Sequence, residues 1–253
     1  MSENLKFKIR GLNKSFGSHH VLQGVDLDIK RDSSLVILGG SGSGKSVLIK
    51  SLIGLLKPDS GSILFDGVES INFTNKERLK MLESCGYLFQ AGALFDSLNV
   101  EDNITFFAQK KLSLNKSETR DLACRKLRSV GLEERILDLF PSELSGGMQK
   151  RVALARAIAT DPKVIFFDEP TTGLDPIMSN VINDLIIKVR DELGATTITI
   201  THDMQSAHKI AKEVAFLCEG KIIWNGKIDE MDSAKNPRLQ QFINGYTEIP
   251  LTL

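Results

Sequence analysis

The amino-acid sequence predicts an α/β fold, and three patterns along the chain carry that prediction. The first eighty or so residues contain short stretches of alternating apolar and polar residues separated by turns, which is typical of antiparallel strands. From about Asn99 to Phe140 the chain changes character, and Ser117–Val130 has apolar residues at helical spacing. From Val164 onward, apolar strands alternate with helices, as in a parallel sheet with crossover helices. We therefore expect an N-terminal antiparallel β subdomain, a parallel-sheet core and an inserted helical subdomain.

The N-terminal strands are each bounded by turn residues such as Asp66-Gly67, and they are expected at Leu5–Ile9, Val25–Ile29 and Ser62–Phe65. Leu35–Leu38 is a continuous apolar run, which is typical of a strand buried on both faces. This run leads straight into a glycine-rich loop. A helix is expected directly after the loop, over Val47–Leu56.

The later elements follow from the same periodicities. Strands are expected at Val164–Phe167 and Thr196–Ile200, and a closing hairpin at Val214–Leu217 and Lys221–Trp224. The expected helices are Ser117–Val130, Gln149–Ala159, Asn180–Leu193, Met204–Ala211 and Arg238–Asn244. We predict a single domain over residues 5–245, with the helical subdomain at about 95–160 inserted in it, and a short C-terminal tail at 246–253.

The charge balance gives no argument for a nucleic-acid partner. Lys plus Arg equals Asp plus Glu at 32 each, so the formal net charge is zero. No apolar run approaches the roughly 18 residues that would span a bilayer, and the N-terminus lacks the apolar core of a signal peptide. Three widely spaced cysteines suggest neither a disulfide framework nor a zinc site. These features place the chain in the cytoplasm.

Residues 39–46, which we call the phosphate loop, are the first segment that indicates a binding site. They are Gly39, Gly40, Ser41, Gly42, Ser43, Gly44, Lys45 and Ser46, which matches G-x-x-x-x-G-K-[ST]. Glycines let backbone N–H groups wrap a triphosphate, and the following helix presents its positive end to the anion. Lys45 reaches the β- and γ-phosphates, and the Ser46 hydroxyl joins the Mg²⁺ shell. We include Val47 among the nucleotide-binding residues. The alternative is an ordinary flexible glycine loop.

A second element consists of an apolar strand that ends in two carboxylates, Asp168 and Glu169. A parallel strand next to the loop-bearing strand would bring Asp168 beside the metal, directly or through water. Glu169 would then lie near the γ-phosphate and could polarise an attacking water. Taken alone, the pattern also fits a solvated strand end.

The segment Leu144–Gln149, which we call the signature segment, resembles the signature motif of ATP-binding-cassette (ABC) ATPases. Other landmarks of that family follow in order: Gln90 at the Q-loop position, Gly173-Leu174-Asp175 as the D-loop, His202 as the switch histidine, and Phe16 in place of the adenine-stacking aromatic. The resemblance covers essentially the whole chain. It implies a P-loop ABC ATPase domain with a RecA-like parallel-sheet core, and hydrolysis of ATP with Mg²⁺ as cofactor.

The resemblance also implies roles for individual residues. Lys45, Glu169 and His202 would be catalytic, and Ser46, Gln90 and Asp168 would hold the metal. A plain polar loop residue remains the alternative for Gln90, and a core position for Phe16, because the family more often has tyrosine there.

Ser145, Gly146 and Gly147 precede a helix and would form another anion-binding N-terminus. One chain cannot fold both glycine-rich sites onto one phosphate. In the family, the signature of one subunit closes on the nucleotide of the other, so the resemblance implies a head-to-tail homodimer. A tight turn with a helix cap is the alternative for these three residues.

Three kinds of cassette ATPase compete. A regulatory domain that binds ATP without hydrolysing it is disfavoured, because every catalytic position is filled. A soluble ATPase acting on ribosomes or DNA usually has two cassettes in one chain, whereas this chain has one. The motor subunit of a membrane transporter is therefore favoured, and a multispanning permease subunit is the natural partner.

Two segments, Phe89–Val100 and Asn236–Gly245, resemble the ATPase of Mla-type phospholipid transporters, as do the phosphate loop and Met148. That system maintains lipid asymmetry in the Gram-negative outer membrane. The resemblance implies a peripheral position on the cytoplasmic side of the inner membrane. It also implies a small cytoplasmic regulator and a periplasmic lipid-binding subunit as partners. An importer or exporter ATPase for another solute is the alternative. Older naming attaches ribonucleotide transport to close relatives, although nothing in the sequence supports a nucleotide cargo.

Overall fold

The computed structural model describes residues 4–245. The predicted tail at 246–253 lies outside the described residues. The described chain forms two compact units, one of residues 4–78 and 198–245 and one of residues 79–197. The prediction of a single domain over 5–245 with a helical insertion stays a prediction.

The first unit contains a four-stranded antiparallel sheet with strand order β2-β1-β4-β5. Its strands are β1 (Leu5–Phe16), β2 (His19–Lys30), β4 (Ser60–Phe65) and β5 (Val68–Glu69). Phe7 pairs with Phe65 and Ile9 with Ile63, and all four side chains are buried. The predicted antiparallel subdomain is thereby confirmed. The strands are longer than predicted because register shifts near Gly11 break the alternation without ending the pairing.

The first unit also carries strands in the order β10-β9-β3-β8. They are β3 (Ser34–Leu38), β8 (Thr196–Thr201), β9 (Glu213–Cys218) and β10 (Lys221–Lys227), and the chain passes from the second unit to the first within β8. β3 and β9 are parallel, with Leu35 opposite Glu213 and Ile37 opposite Ala215. β9 and β10 form the predicted closing hairpin.

The helices of the first unit are α1 (Lys45–Leu52), α8 (Met204–Ile210), α9 (Ile228–Met231) and α10 (Pro237–Asn244), and α2 (Asn75–Glu83) leads into the second unit. The predicted end of the first helix at Leu56 is wrong. α1 ends at Leu52, because Gly54 follows with φ +71°, a left-handed conformation that terminates helices.

In the second unit, β6 (Cys85–Leu88) and β7 (Val164–Asp168) pair in parallel. The helices there are α3 (Val100–Thr105), α4 (Ala108–Leu112), α5 (Lys116–Ser129), α6 (Gly146–Ala157) and α7 (Pro176–Leu193). Asn115 and Glu118 form a capping box at the start of α5. α6 and α7 begin earlier than predicted, because Ser145 and Asp175 accept hydrogen bonds from the first helical amides.

Within residues 4–245, every helix is too short or too polar to cross a bilayer. The thiols of Cys85, Cys124 and Cys218 are half-buried. Burial raises the pKa of the Cys124 and Cys218 thiols.

Candidate functional site

The phosphate loop connects β3 to α1 in the first unit. A cavity of about 240 Å³ opens beside it, lined by His19, Val21 and residues 42–47. Gly44 is the N-cap of α1 with φ +106°, a conformation that an L-residue rarely adopts. The first amides of a helix have no intrahelical partner, so the start of α1 offers N–H donors to an anion in this cavity.

Lys45 is the first residue of α1, and its side chain turns back over the loop. Its Nζ donates to the carbonyl oxygens of Gly39, at 2.7 Å, and Gly40, at 3.0 Å. The residue is only 8% exposed. A buried cation therefore lies against the loop that would wrap the phosphates.

Gly39 and Gly40 differ sharply in the space around them. Gly39 is buried, and a Cβ there would overlap the main-chain oxygen of Leu217 and lie 2.6 Å from Ser43 Oγ. Gly40 is exposed, and a Cβ there would meet nothing within 4 Å. The first glycine is thus required by close approach to β9, and the second is not.

We expect Gly39→Ala to lower the free energy of unfolding by about 1–3 kcal/mol, because overpacking against main-chain atoms cannot be relieved by a rotamer change. The matched control Gly40→Ala should stay within about 0.5 kcal/mol of the wild type. Thermal or urea unfolding of the full chain checks both. Equal losses in the two variants would contradict the steric argument.

Phe16 ends β1 and is 50% exposed, so it is not a core residue. The Nζ of Lys14 lies 5.5 Å from the centre of its ring. A ring with an open face is what stacking on a nucleobase requires. His19 and His20 are exposed, and Nδ1 of His20 lies 2.8 Å from Ser15 Oγ.

His202 directly follows β8 in the first unit and is exposed. The next residue, Asp203, caps α8: its Oδ1 accepts from the backbone N–H of Gln205, and its Oδ2 from the Ser206 hydroxyl. The backbone on the C-terminal side of His202 is therefore well fixed.

Asp168 and Glu169 lie at the carboxyl end of β7 in the second unit. Tyr87 Oη donates to Asp168 Oδ2 at 3.3 Å. Burial raises the pKa of the Tyr87 phenol, and the negative charge of Asp168 raises it further. The phenol therefore stays a proton donor to this carboxylate.

Glu169 is 8% exposed and has φ +48°, in the left-handed region that non-glycine residues seldom occupy. Thr172 Oγ1 donates to Glu169 Oε2 at 3.0 Å. Such a backbone persists only where the surroundings impose it, and it is commonest at functional sites.

Gln90 is exposed, and its carbonyl oxygen accepts a hydrogen bond from Lys150 Nζ. Lys150 belongs to α6 and is buried. Burial lowers the pKa of its ammonium group, and the carboxylates of Asp168 and Glu169 oppose that shift. Within the second unit, Lys150 therefore contacts the Gln90 backbone and is influenced by the charges of Asp168 and Glu169.

The signature segment ends in the N-terminus of α6. Ser145 is the N-cap, and its Oγ accepts from the N–H of Met148 at 3.3 Å. Ser145 and Gly146 are exposed. Gln149 Nε2 donates to the carbonyl oxygens of Pro141, at 2.8 Å, and Leu144, at 3.3 Å, which holds the preceding turn in place. The result is an open helix N-terminus that faces solvent in the single chain.

Comparison with known proteins gives the family. A family model described as ABC transporter matches residues 22–172, more than half of the chain. The chain belongs to the ABC transporter family. Its phosphate loop and signature segment both fall within the matched range, so ATP is its nucleotide and ATP hydrolysis its activity.

Two curated relatives of this ABC transporter ATPase span nearly the whole chain. The probable ribonucleotide transport ATP-binding protein mkl of Mycobacterium leprae is 40% identical over 97% of this chain and 70% of that protein. The intermembrane phospholipid transport system ATP-binding protein MlaF of Haemophilus influenzae is 37% identical over 99% of this chain and 94% of that protein.

A solved ABC cassette has the same fold. The cassette MJ0796, determined as a dimer in a post-hydrolysis state with ADP and Pi, superposes with a TM-score of 0.81. It is 31% identical and covers 88% of this chain and 98% of that chain.

Sequence reasoning missed Lys150 and Tyr87, both of which contact predicted site residues of this ABC ATPase. Lys150 left a signal in the sequence. It shares a helical face with Ala153 and Ala157, three and seven residues on, so a cation falls among small apolar residues. Tyr87 left none, because an aromatic residue in a strand is ordinary.

Proposed function

We propose that this chain is the ATP-hydrolysing motor subunit of a transporter that moves phospholipids between the inner and outer membranes. It would act as a homodimer on the cytoplasmic side of the inner membrane, beneath multispanning permease subunits. Its near full-length similarity to MlaF supports the cargo, and an exposed aromatic surface in the second unit supports the permease partner.

That surface, which we call the aromatic groove, is the observation that carries the proposal. Phe89, Phe95, Phe106 and Phe107 are between 39% and 58% exposed and line a cavity of about 370 Å³. Exposed aromatic side chains that cluster on a protein surface mark a docking site for another protein. A short apolar helix on the cytoplasmic side of a permease would fill such a groove.

In the proposed mechanism, the phosphate loop binds ATP. Backbone N–H groups of residues 42–47 and the Lys45 ammonium would hold the phosphates, and the Phe16 ring would stack on adenine. The donors assigned to a metal are Ser46, Gln90 and Asp168, and all present oxygen atoms, the ligand type that Mg²⁺ prefers. When bound, Mg²⁺ would neutralise charge that develops on the phosphates.

Glu169 would orient the attacking water, and its fixed backbone would aim the carboxylate. His202 would hold the γ-phosphate. Ser145 and Gly147 of one subunit would close on the ATP bound by the other, since their helix N-terminus faces solvent in the single chain. Hydrolysis would then reopen the dimer, and the segment from Gln90 to Val100 would pass the movement to the permease.

A small cytoplasmic regulator and a periplasmic lipid-binding subunit would complete the complex, by analogy with Mla-type systems. The name of the mkl relative favours ribonucleotides instead, and another solute is the alternative cargo for the same motor. A soluble role on ribosomes is the remaining candidate.

Reconstitution tests the proposed function. The chain is co-expressed with a multispanning permease subunit from the same genome, purified as a complex and placed in vesicles. We expect phospholipids to stimulate ATP hydrolysis and labelled phospholipid to leave the vesicles only when ATP is present. The matched control is the complex carrying Glu169→Gln, which should transfer none. Stimulation by ribonucleotides but not by lipid would contradict the cargo, and co-sedimentation with ribosomes without a membrane partner would contradict the transporter.

A further inference from the structure

Two cations on α6 hold the main chain of the loop that follows β6. Lys150 Nζ donates to the carbonyl oxygen of Gln90. Arg156 uses both terminal nitrogens: Nη1 donates to Ala93 O at 2.7 Å and Nη2 to Gly92 O at 2.6 Å. Lys150 and Arg156 are six residues apart, about 120° around a helix of 3.6 residues per turn, and both long side chains reach this loop. We call this pair the carbonyl clamp.

The clamped loop adopts a conformation that it would not favour alone. Gly92 has φ +75° and Ala93 has φ +49°, so two consecutive residues are left-handed. For Ala93 this is an uncommon region. Arg156 binds the carbonyl oxygens of these two residues, and Lys150 binds that of Gln90, two residues earlier. The donors on α6 therefore stabilise the observed loop over its alternatives.

The same helix begins at the signature segment. α6 has 12 residues, and Ser145 is its N-cap, so it is about 18 Å long at 1.5 Å per residue. Lys150 lies in its second turn and Arg156 in its last. A displacement of the helix N-terminus would thus move both members of the clamp.

The clamp also reaches the aromatic groove. The Arg156 guanidinium lies 5.9 Å from the centre of the Phe95 ring, within the range of a cation–π contact. At the other end, the charges of Asp168 and Glu169 act on Lys150. α6 thereby contacts the Gln90 backbone through Lys150 and the aromatic groove through Arg156.

We propose that Lys150 and Arg156 are positioning residues that make the loop of residues 90–93 follow α6, so that ATP bound by the partner subunit at Ser145 repositions Gln90 and the aromatic groove of this chain. This inference rests on the proposed function, because it requires ATP to be shared across the dimer. It adds two residues that no family landmark includes.

Hydrogen exchange of the full chain tests it, because exchange measures local opening of backbone amides. The segments 89–96 and 144–150 are followed with and without a non-hydrolysable ATP analogue and Mg²⁺. The variants are Lys150→Met, which keeps length but removes the donor, and Arg156→Lys, which keeps the charge but not the two-pronged contact. Arg151→Gln is the matched control, because Arg151 also lies on α6 but donates to the carbonyl of Gly131.

In the wild type and in Arg151→Gln, we expect the analogue to slow exchange in both segments. In Lys150→Met and Arg156→Lys, the analogue should still slow exchange in segment 144–150. In segment 89–96, the factor by which the analogue slows exchange should fall by about tenfold, as expected for the loss of a hydrogen bond to a charged group. Unchanged slowing in segment 89–96 would overturn the inference. The inference would also be overturned if, in the two clamp variants but not in the control, the analogue no longer slowed exchange in either segment. The two cations would then be needed for ATP binding itself. No slowing in the wild type would contradict the proposed function instead.

Discussion

Replacing Glu169 by Gln should lower the rate of ATP hydrolysis by about 10²–10⁴-fold, the range by which a positioned general base contributes. Gln is isosteric with Glu, and its side-chain oxygen can still accept the hydrogen bond that Thr172 Oγ1 donates at 3.0 Å. The φ of +48° is imposed by the surroundings and should persist. What the variant loses is the basic carboxylate. We therefore expect ATP to bind normally and to accumulate unhydrolysed.

Steady-state phosphate release and nucleotide binding to the full chain measure the two effects separately. Size-exclusion chromatography with ATP should also show a larger fraction of dimer than in the wild type, since hydrolysis no longer reopens it. Glu192→Gln is the matched control, because Glu192 is an exposed residue of α7. If Glu169→Gln released phosphate as fast as this control, Glu169 would lose its assigned role.

The sequence predicted the parts of the site that depend on main-chain geometry. The phosphate loop follows from its glycine spacing, and the structure explains Gly39 and Gly44 individually, through close approach to Leu217 and a φ of +106°. The acidic pair at the end of β7 follows from a continuous apolar run that ends in carboxylates. Local sequence determines such features, because each rests on residues adjacent in the chain.

The sequence did not predict contacts between segments that are far apart in the chain. The carbonyl clamp joins residues sixty or more positions apart, and a single sequence contains no pairing information at that range. β6 was missed for a related reason. Its four residues include Gly86, where a Cβ would clash with main-chain atoms of Ala157. Close packing thus requires a glycine where a strand would usually have a side chain with high β propensity, so the sequence pattern did not indicate a strand.

The predicted start of a helix was wrong where a capping side chain, rather than hydrophobic periodicity, determines the first helical residue. α7 was predicted from Asn180, but it starts at Pro176, since Asp175 Oδ1 accepts from the N–H groups of Ile177 and Met178 at 2.9 Å each. Proline is favoured at the first helical position, so the pair Asp175-Pro176 was a start signal that hydrophobic periodicity alone did not detect.

Replacing Lys45 by Ala should weaken ATP binding by about 30-fold or more, because removing one member of a buried, hydrogen-bonded charge pair costs about 2–5 kcal/mol. Two losses act together. The phosphates lose their cation, and the carbonyl oxygens of Gly39 and Gly40 lose the donor that holds them at 2.7 and 3.0 Å. Titration of the full chain with a fluorescent ATP analogue measures the affinity.

Lys50 gives this experiment a control on the same helix. It lies in the last turn of α1 and is exposed, so Lys50→Ala changes the net charge by the same amount without touching the loop. We expect its affinity for the analogue to match the wild type. Thermal unfolding of both variants separates a folding defect from a binding defect, since only the loss of binding depends on the phosphates. If Lys45→Ala bound the analogue as tightly as Lys50→Ala, the phosphate loop would not be the cradle that its glycines and its helix N-terminus indicate.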